Sequence, residues 1–161
     1  MALEGLFPSD RPSARSLRRF LAAPRTPVLV AVGNPEEFAA DRDPSCGTRA
    51  QRKPSQVAAG LRVIGNLVLL LRAGGRKARV YSLVVSPAAR GQGVGDRLVE
   101  AAERAARRAR CVQIGLEVRA DNAAALALYQ RRGYTRVRCL PGYYDDGADG
   151  IGLARRLDAE G

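Results

Sequence analysis

An apolar strand pattern runs into a glycine-rich turn and then into a long amphipathic helix, and few folds accept that order. Tyr81-Ser82-Leu83-Val84-Val85 is the apolar run, Arg90-Gly91-Gln92-Gly93-Val94-Gly95 the turn, and Asp96 to Arg110 the helix. Glycines let a backbone approach a ligand with no Cβ in the way. The first-turn N–H groups of a helix have no intrahelical partner, and the helix dipole adds to their pull on an anion. The turn lacks the Gly-Lys-Ser/Thr ending of a P-loop. It also lacks a G-x-G-x-x-G followed by an acidic residue about 20 positions on, which argues against a dinucleotide fold. What remains is R-x-x-G-x-G, a loop that itself cradles phosphate. Taken alone, the pattern equally fits an ordinary strand-to-helix connection.

The rest of the chain supplies a sheet around this unit. Pro12 to Leu21 reads as a short helix, with Leu17, Phe20 and Leu21 at helical spacing and Ser9 or Ser13 as caps. Pro27 to Val32 reads as a buried strand stopped by Gly33-Asn34-Pro35. Val63 to Arg72 and Arg79 to Val85 are two strands joined by Ala73-Gly74-Gly75-Arg76. In the helix, Leu98, Val99, Ala102, Ala105, Ala106 and Ala109 form one stripe, and Arg104, Arg107 and Arg108 fall on a solvated face. Cys111 to Val118 is a buried strand, Asn122 to Arg132 a helix ended by Gly133, and Thr135 to Leu140 and Ile151 to Leu157 the last strands. Alternating strands and helices ending in a strand pair predict an α/β fold with a mixed sheet.

Composition narrows the function classes. A chain of 161 residues suits one domain, 1–161. Asn34 to Gly60, polar and without periodicity, reads as a flexible insertion. The longest apolar run, Leu67 to Leu71, is too short to span a bilayer, and the N-terminus lacks a signal-peptide pattern, so no membrane partner is expected. Cys46, Cys111 and Cys139 are far apart and there is no histidine, so no metal site is expected and the thiols fit a reducing cytoplasm. The formal charge of +11 comes almost wholly from arginine, only Lys53 and Lys77 being lysine. Aromatic residues are not interleaved with it as stacking platforms, so specific nucleic-acid binding is not expected. Attraction of acidic partners, a polyphosphate cofactor included, is the simpler use of the charge.

From Ser82 to Leu157 the chain resembles the GNAT N-acetyltransferase superfamily. The segments Leu116-Glu117-Val118-Arg119-Ala120-Asp121-Asn122, Ala127-Leu128-Tyr129, Arg132-Gly133-Tyr134 and Gly142-Tyr143-Tyr144-Asp145-Asp146-Gly147 look like its RimI-type branch, which contains ribosomal-protein alanine N-acetyltransferases. The resemblance implies a GNAT fold, acetyl-CoA as cofactor, and direct transfer of acetyl to a primary amine in a ternary complex. Leu83, Val84 and Val85 match the strand that pairs with the pantetheine arm. Arg90, Gly91, Gln92, Gly93, Val94, Gly95 and Asp96 match the pyrophosphate loop, and Asn122 a cofactor-contacting asparagine. Glu117 matches the general base, Tyr129 the acid that protonates the leaving thiolate, and Tyr143 and Tyr144 lie where the branch meets its acceptor. By residue type alone, Glu117 equally reads as a polar residue facing out between Leu116 and Val118, and Tyr129 as core packing.

The acceptor implied first is a protein or peptide N-terminal α-amine. A small-molecule amine is the alternative within the enzyme class, and a non-catalytic acetyl-CoA-binding module the alternative outside it. The family's first strand has no counterpart before Phe7-Pro8 in this chain. Its loss is expected to expose a sheet edge suited to a homodimer or another partner chain. Asp96 would repel a pyrophosphate if its side chain turned inward.

Overall fold

The computed structural model describes residues 27–33, 62–72 and 74–157. The expected helix at 12–21, the insertion at 34–60, Cys46 and the segment before Phe7-Pro8 lie outside these. Six strands are described: β1 (Val28–Gly33), β2 (Arg62–Leu71), β3 (Lys77–Val85), β4 (Gln113–Arg119), β5 (Thr135–Leu140) and β6 (Gly150–Arg156). They form one sheet in the order β1-β2-β3-β4-β6-β5. Among the described residues two α-helices accompany it, α1 (Val94–Arg108) and α2 (Ala123–Arg131). All pairs are antiparallel except β3 with β4, which is parallel. A parallel pair needs a crossover, and α1 supplies it.

Burial follows position in the sheet. On β2, Leu67, Val68 and Leu69 are fully buried on both faces, as a continuous apolar run in an inner strand requires. β1 differs from the buried strand that was expected. It is an edge among the described residues, and its Val30 and Val32 stand exposed. α1 begins two residues earlier than its pattern suggests and ends two earlier. Gly93 in the left-handed region starts it, so the apolar Val94 is buried in its first turn; left-handed Arg110 lies just beyond Ala109 at its other end. Its inward stripe holds Glu103 as well as Leu98, Val99, Ala102 and Ala106, while Ala109 is exposed.

One irregularity opens the sheet. β3 and β4 share only three register partners, Lys77 with Gln113, Ala78 with Ile114 and Arg79 with Gly115. Beyond them β3 stays paired to β2 up to Val85, and β4 stays paired to β6 through Arg119. A bulge between Val68 and Leu69 bends the β2–β3 half of the sheet. The two halves diverge as a V in the middle of the fold.

Candidate active site

The V holds a cleft of about 230 Å³. One wall is β3, from Arg79 to Leu83, whose register with β4 ends at Arg79. A strand edge released from its neighbouring strand suits an extended ligand that adds like a strand. The other wall is Leu116, Glu117 and Val118 of β4. Asn122, Tyr129, Tyr143 and Tyr144 close it. Glu117, Tyr129, Asn122, Leu83 and both loop tyrosines, each expected at the site from sequence, thus meet at one cleft.

The glycine turn sits at the far end of β3. Gly91 and Gly93 have φ of 79° and 74°, where any side chain would be strained, and a Cβ on either would meet nothing within 4 Å. Arg97 N–H donates to Gly93 O at 3.0 Å and so begins the helical ladder. The N–H groups of Val94, Gly95 and Asp96 therefore have no intrahelical acceptor. Gly91, Gln92 and Val94 border a second groove, shared with Leu29 and Ile64, rather than the cleft itself. Val84 and Val85, half-buried, carry β3 between the two. Gly95 lets α1 approach α2, since a Cβ there would stand 3.3 Å from Leu128 Cδ2. Asp96 is turned to α2, 3.6 Å from Arg131 Nη2 and 3.9 Å from Arg132 Nη1. The carboxylate thus lies within ion-pair range of two cations.

Glu117 faces opposite to buried Leu116 and Val118, as strand alternation dictates. Its side chain is nonetheless only 11% exposed, because two arginines cover it. Arg79 of β3 donates from Nε to Oε2 at 2.7 Å and places Nη2 2.6 Å from the same oxygen. Arg138 of β5 donates to Oε1. β6 lies between β4 and β5, and Gly152 is the register partner of both Glu117 and Arg138. Arg138 reaches Glu117 by lying across that glycine: a Cβ on Gly152 would stand 2.5 Å from Arg138 Cγ. Two residues along, a Cβ on Gly150 would stand 3.1 Å from the Tyr143 ring. Gly150 and Gly152 form a floor that admits Tyr143 and Arg138. Sequence reading passed over these residues, although glycines at alternate positions of a strand signal close approach on one face.

Tyr129 lines the same cleft as Glu117. It is buried and meets Tyr134 edge to face, with ring centroids 5.3 Å apart. Asn122 caps α2, its Oδ1 accepting from Ala125 N–H at 3.1 Å. Arg119, at the end of β4, pins the 141–149 loop. It donates to Asp121 and to Asp146 Oδ2 at 2.7 Å, and its guanidinium lies 5.1 Å from the centre of the Tyr144 ring. These hydrogen bonds, to Asp121 first and then Asp146, raise the Arg119 pKa and lower those of both aspartates. Tyr143, exposed, sits 3.4 Å by its Oη from Arg79 Nη2. The loop aspartates therefore hold the loop in place, and Asp149 does so too by accepting from Gly142 N–H.

No helix among the described residues is long and apolar enough to cross a membrane, and no metal-binding cluster of His, Cys, Asp and Glu occurs among them. Cys111 is buried, which pushes its thiol pKa up, and Cys139 is exposed; neither forms a disulfide.

Comparison with known proteins bears on this arrangement. The N-alpha-acetyltransferase RimI of Mycobacterium tuberculosis is 42% identical over 77 residues, 47% of each chain. The chain spans about half the length of the curated relatives it matches. A ribosomal-protein alanine N-acetyltransferase from Escherichia coli shares the fold, with a TM-score of 0.69 at 21% identity, over 99% of this chain and 86% of that one. A NatC complex bound to Gag peptide and CoA matches with a TM-score of 0.68 at 25% identity, over 97% of this chain and 86% of that chain. Residues 17–134 match the acetyltransferase (GNAT) family model, and the chain belongs to that family.

Proposed function

We propose that this chain transfers an acetyl group from acetyl-CoA to a primary amine, the N-terminal α-amine of a protein or peptide, in a ternary complex. The observation that carries the reading is the V between β3 and β4, where the β3–β4 register ends at Arg79 and Glu117 and Tyr129 line the same cleft. The residues present fit the cofactor. Gly91 and Gly93 supply the left-handed backbone that turns β3 into α1, and the first-turn N–H groups of that helix, which have no intrahelical acceptor, suit a pyrophosphate. The part of β3 beyond its register with β4 suits the amide-bearing pantetheine arm. Bound acetyl-CoA supplies an activated acyl thioester.

The chain's own residues manage protons and orientation. An alkylammonium is no nucleophile until it loses a proton, and the chain has no histidine to take it. Glu117 is the carboxylate at hand, accepting the proton directly or through one water. Both its oxygens are engaged by arginines, so it must exchange partners before it accepts. The Tyr129 hydroxyl delivers a proton to the departing sulfur. Backbone N–H groups of β3 near Val84 stabilise developing negative charge on the acyl oxygen. Tyr143 and Tyr144 flank the acceptor entrance, held there by Arg119.

The test is incubation with acetyl-CoA and an alanine-initiated peptide carrying one internal lysine, with the added acetyl group located by mass spectrometry. Modification of the α-amine is the expected result. Lysine modification would keep the chemistry and change the acceptor. No transfer in the presence of proven cofactor binding would reject the reading.

A further inference from the structure

The Glu117 cluster is unbalanced, because two guanidinium groups share one carboxylate. The carboxylate is nearly covered, whereas the side chains of Arg79 and Arg138 are 47% and 57% exposed on the outer side of it. Two carboxylates of the 141–149 loop are committed elsewhere, Asp146 to Arg119 and Asp149 to the Gly142 N–H. The acceptor entrance thus carries a net positive pair directly beside the group that must accept the amine's proton. Gly152 has no side chain, and that absence is what lets Arg138 reach this point from β5.

We propose that Arg79 and Arg138 form an anion site for the acceptor, selecting polypeptides with an acidic residue at the second position. This rests on the reading of the chain as an α-amine acetyltransferase. An incoming carboxylate exchanges with Glu117 for the two guanidinium groups, which are suited to bidentate carboxylate recognition. Glu117, released, becomes able to accept the proton of the amine that arrived with that carboxylate. The arginines therefore do more than fill the entrance: they couple acceptor charge to readiness of the base. They touch the acceptor and act on the proton transfer only through Glu117.

The experiment compares kcat/KM for three peptides beginning Ala-Glu, Ala-Gln and Ala-Lys, with the intact chain and with Arg138→Gln, Arg138→Glu and Gly152→Ala. The intact chain is expected to favour Ala-Glu over Ala-Gln by about tenfold, the scale of one charge-assisted contact, and to disfavour Ala-Lys. Arg138→Gln should collapse the Glu/Gln ratio toward one, and Arg138→Glu should turn the preference toward Ala-Lys. If Arg138 merely orients Glu117, every substitution will change the three peptides by the same factor, which overturns the proposal. Equal rates for Ala-Glu and Ala-Gln with the intact chain overturn it while leaving the α-amine reading standing. Absence of transfer to all three peptides, with cofactor binding retained, brings down both.

Discussion

Glu103 on α1 and Glu117 on β4 each bind two arginines, and they differ in what surrounds those arginines. Glu103 is 2% exposed, and its partners Arg132 and Arg155 are 18% and 31% exposed. Arg132 donates from Nε and Nη2 to its two oxygens, and Arg155 donates to Oε1 at 3.0 Å. Burial by itself would raise the Glu103 carboxyl; the hydrogen bond and charge of Arg132, then those of Arg155, outweigh it and hold the group below its ordinary 4.5. Burial first and the nearby Glu103 charge second push the Tyr134 phenol far above its usual range. That cluster ties α1 to the residue after α2 and to β6, with its carboxylate almost wholly enclosed. At Glu117 the partners face solvent, so another anion can replace the carboxylate. The same ion-pair chemistry serves as a rivet where it is enclosed and as a latch where one side is open.

The comparison breaks most sharply at Glu117. Glu117→Gln should lower kcat by about 10²–10⁴-fold, the usual worth of a general base, with acetyl-CoA affinity and thermal midpoint little changed. Unaltered turnover at saturating acceptor would take Glu117 out of the mechanism. Glu103→Gln should do the reverse. Breaking an enclosed ion cluster by removing one partner costs about 3–5 kcal/mol, measurable by denaturant unfolding, while the folded fraction keeps its kcat.

The same contrast has a pH signature. A depressed carboxylate stabilises the fold at pH above its unfolded-state value, and that contribution fades as pH falls through the folded one. Stability from Glu103 should thus hold above about pH 4.5 and be lost in more acid solution. A Glu103→Gln chain should show a flatter acid limb in its unfolding curve; an unchanged limb would remove Glu103 from that titration.

Two glycines sharpen the picture with smaller effects. Gly152→Ala places a Cβ against Arg138 Cγ and should move the arginine off Glu117. The overpacking should cost about 1–3 kcal/mol, and crystallography or the peptide ratio would register the displaced side chain. Gly93→Ala meets no crowding, only left-handed backbone at φ 74°. It should cost about 1–2 kcal/mol and weaken acetyl-CoA binding, as titration calorimetry would read. Tight binding after that change would place the phosphates elsewhere.

Most of the fold was legible along the chain because its signals are local. Strand-length apolar runs marked β2 to β6, helical spacing marked α1, and Gly91, Gly93 and Gly133 marked the turn before α1 and the end of α2. The motif segments at Glu117, Tyr129 and Tyr143 pointed to one site, and the structure does assemble them around one cleft. The edge position of β1 escaped, because an apolar hexamer reads alike in a central strand and at a margin. Glu103 escaped because a charged residue on an apolar stripe looks solvated until its partners are known.

By itself, then, the sequence determined the elements, their order, the phosphate-suited turn and membership of the family. Tertiary structure alone decided the V between β3 and β4 and the partners of both glutamates. The reason is separation: Glu117 lies 38 residues from Arg79 and 21 from Arg138, and Glu103 lies 29 from Arg132 and 52 from Arg155. Local propensity carries no record of such pairs. Strand order, register and a glycine with no side chain set which charges meet, and how much water reaches them sets whether they can part.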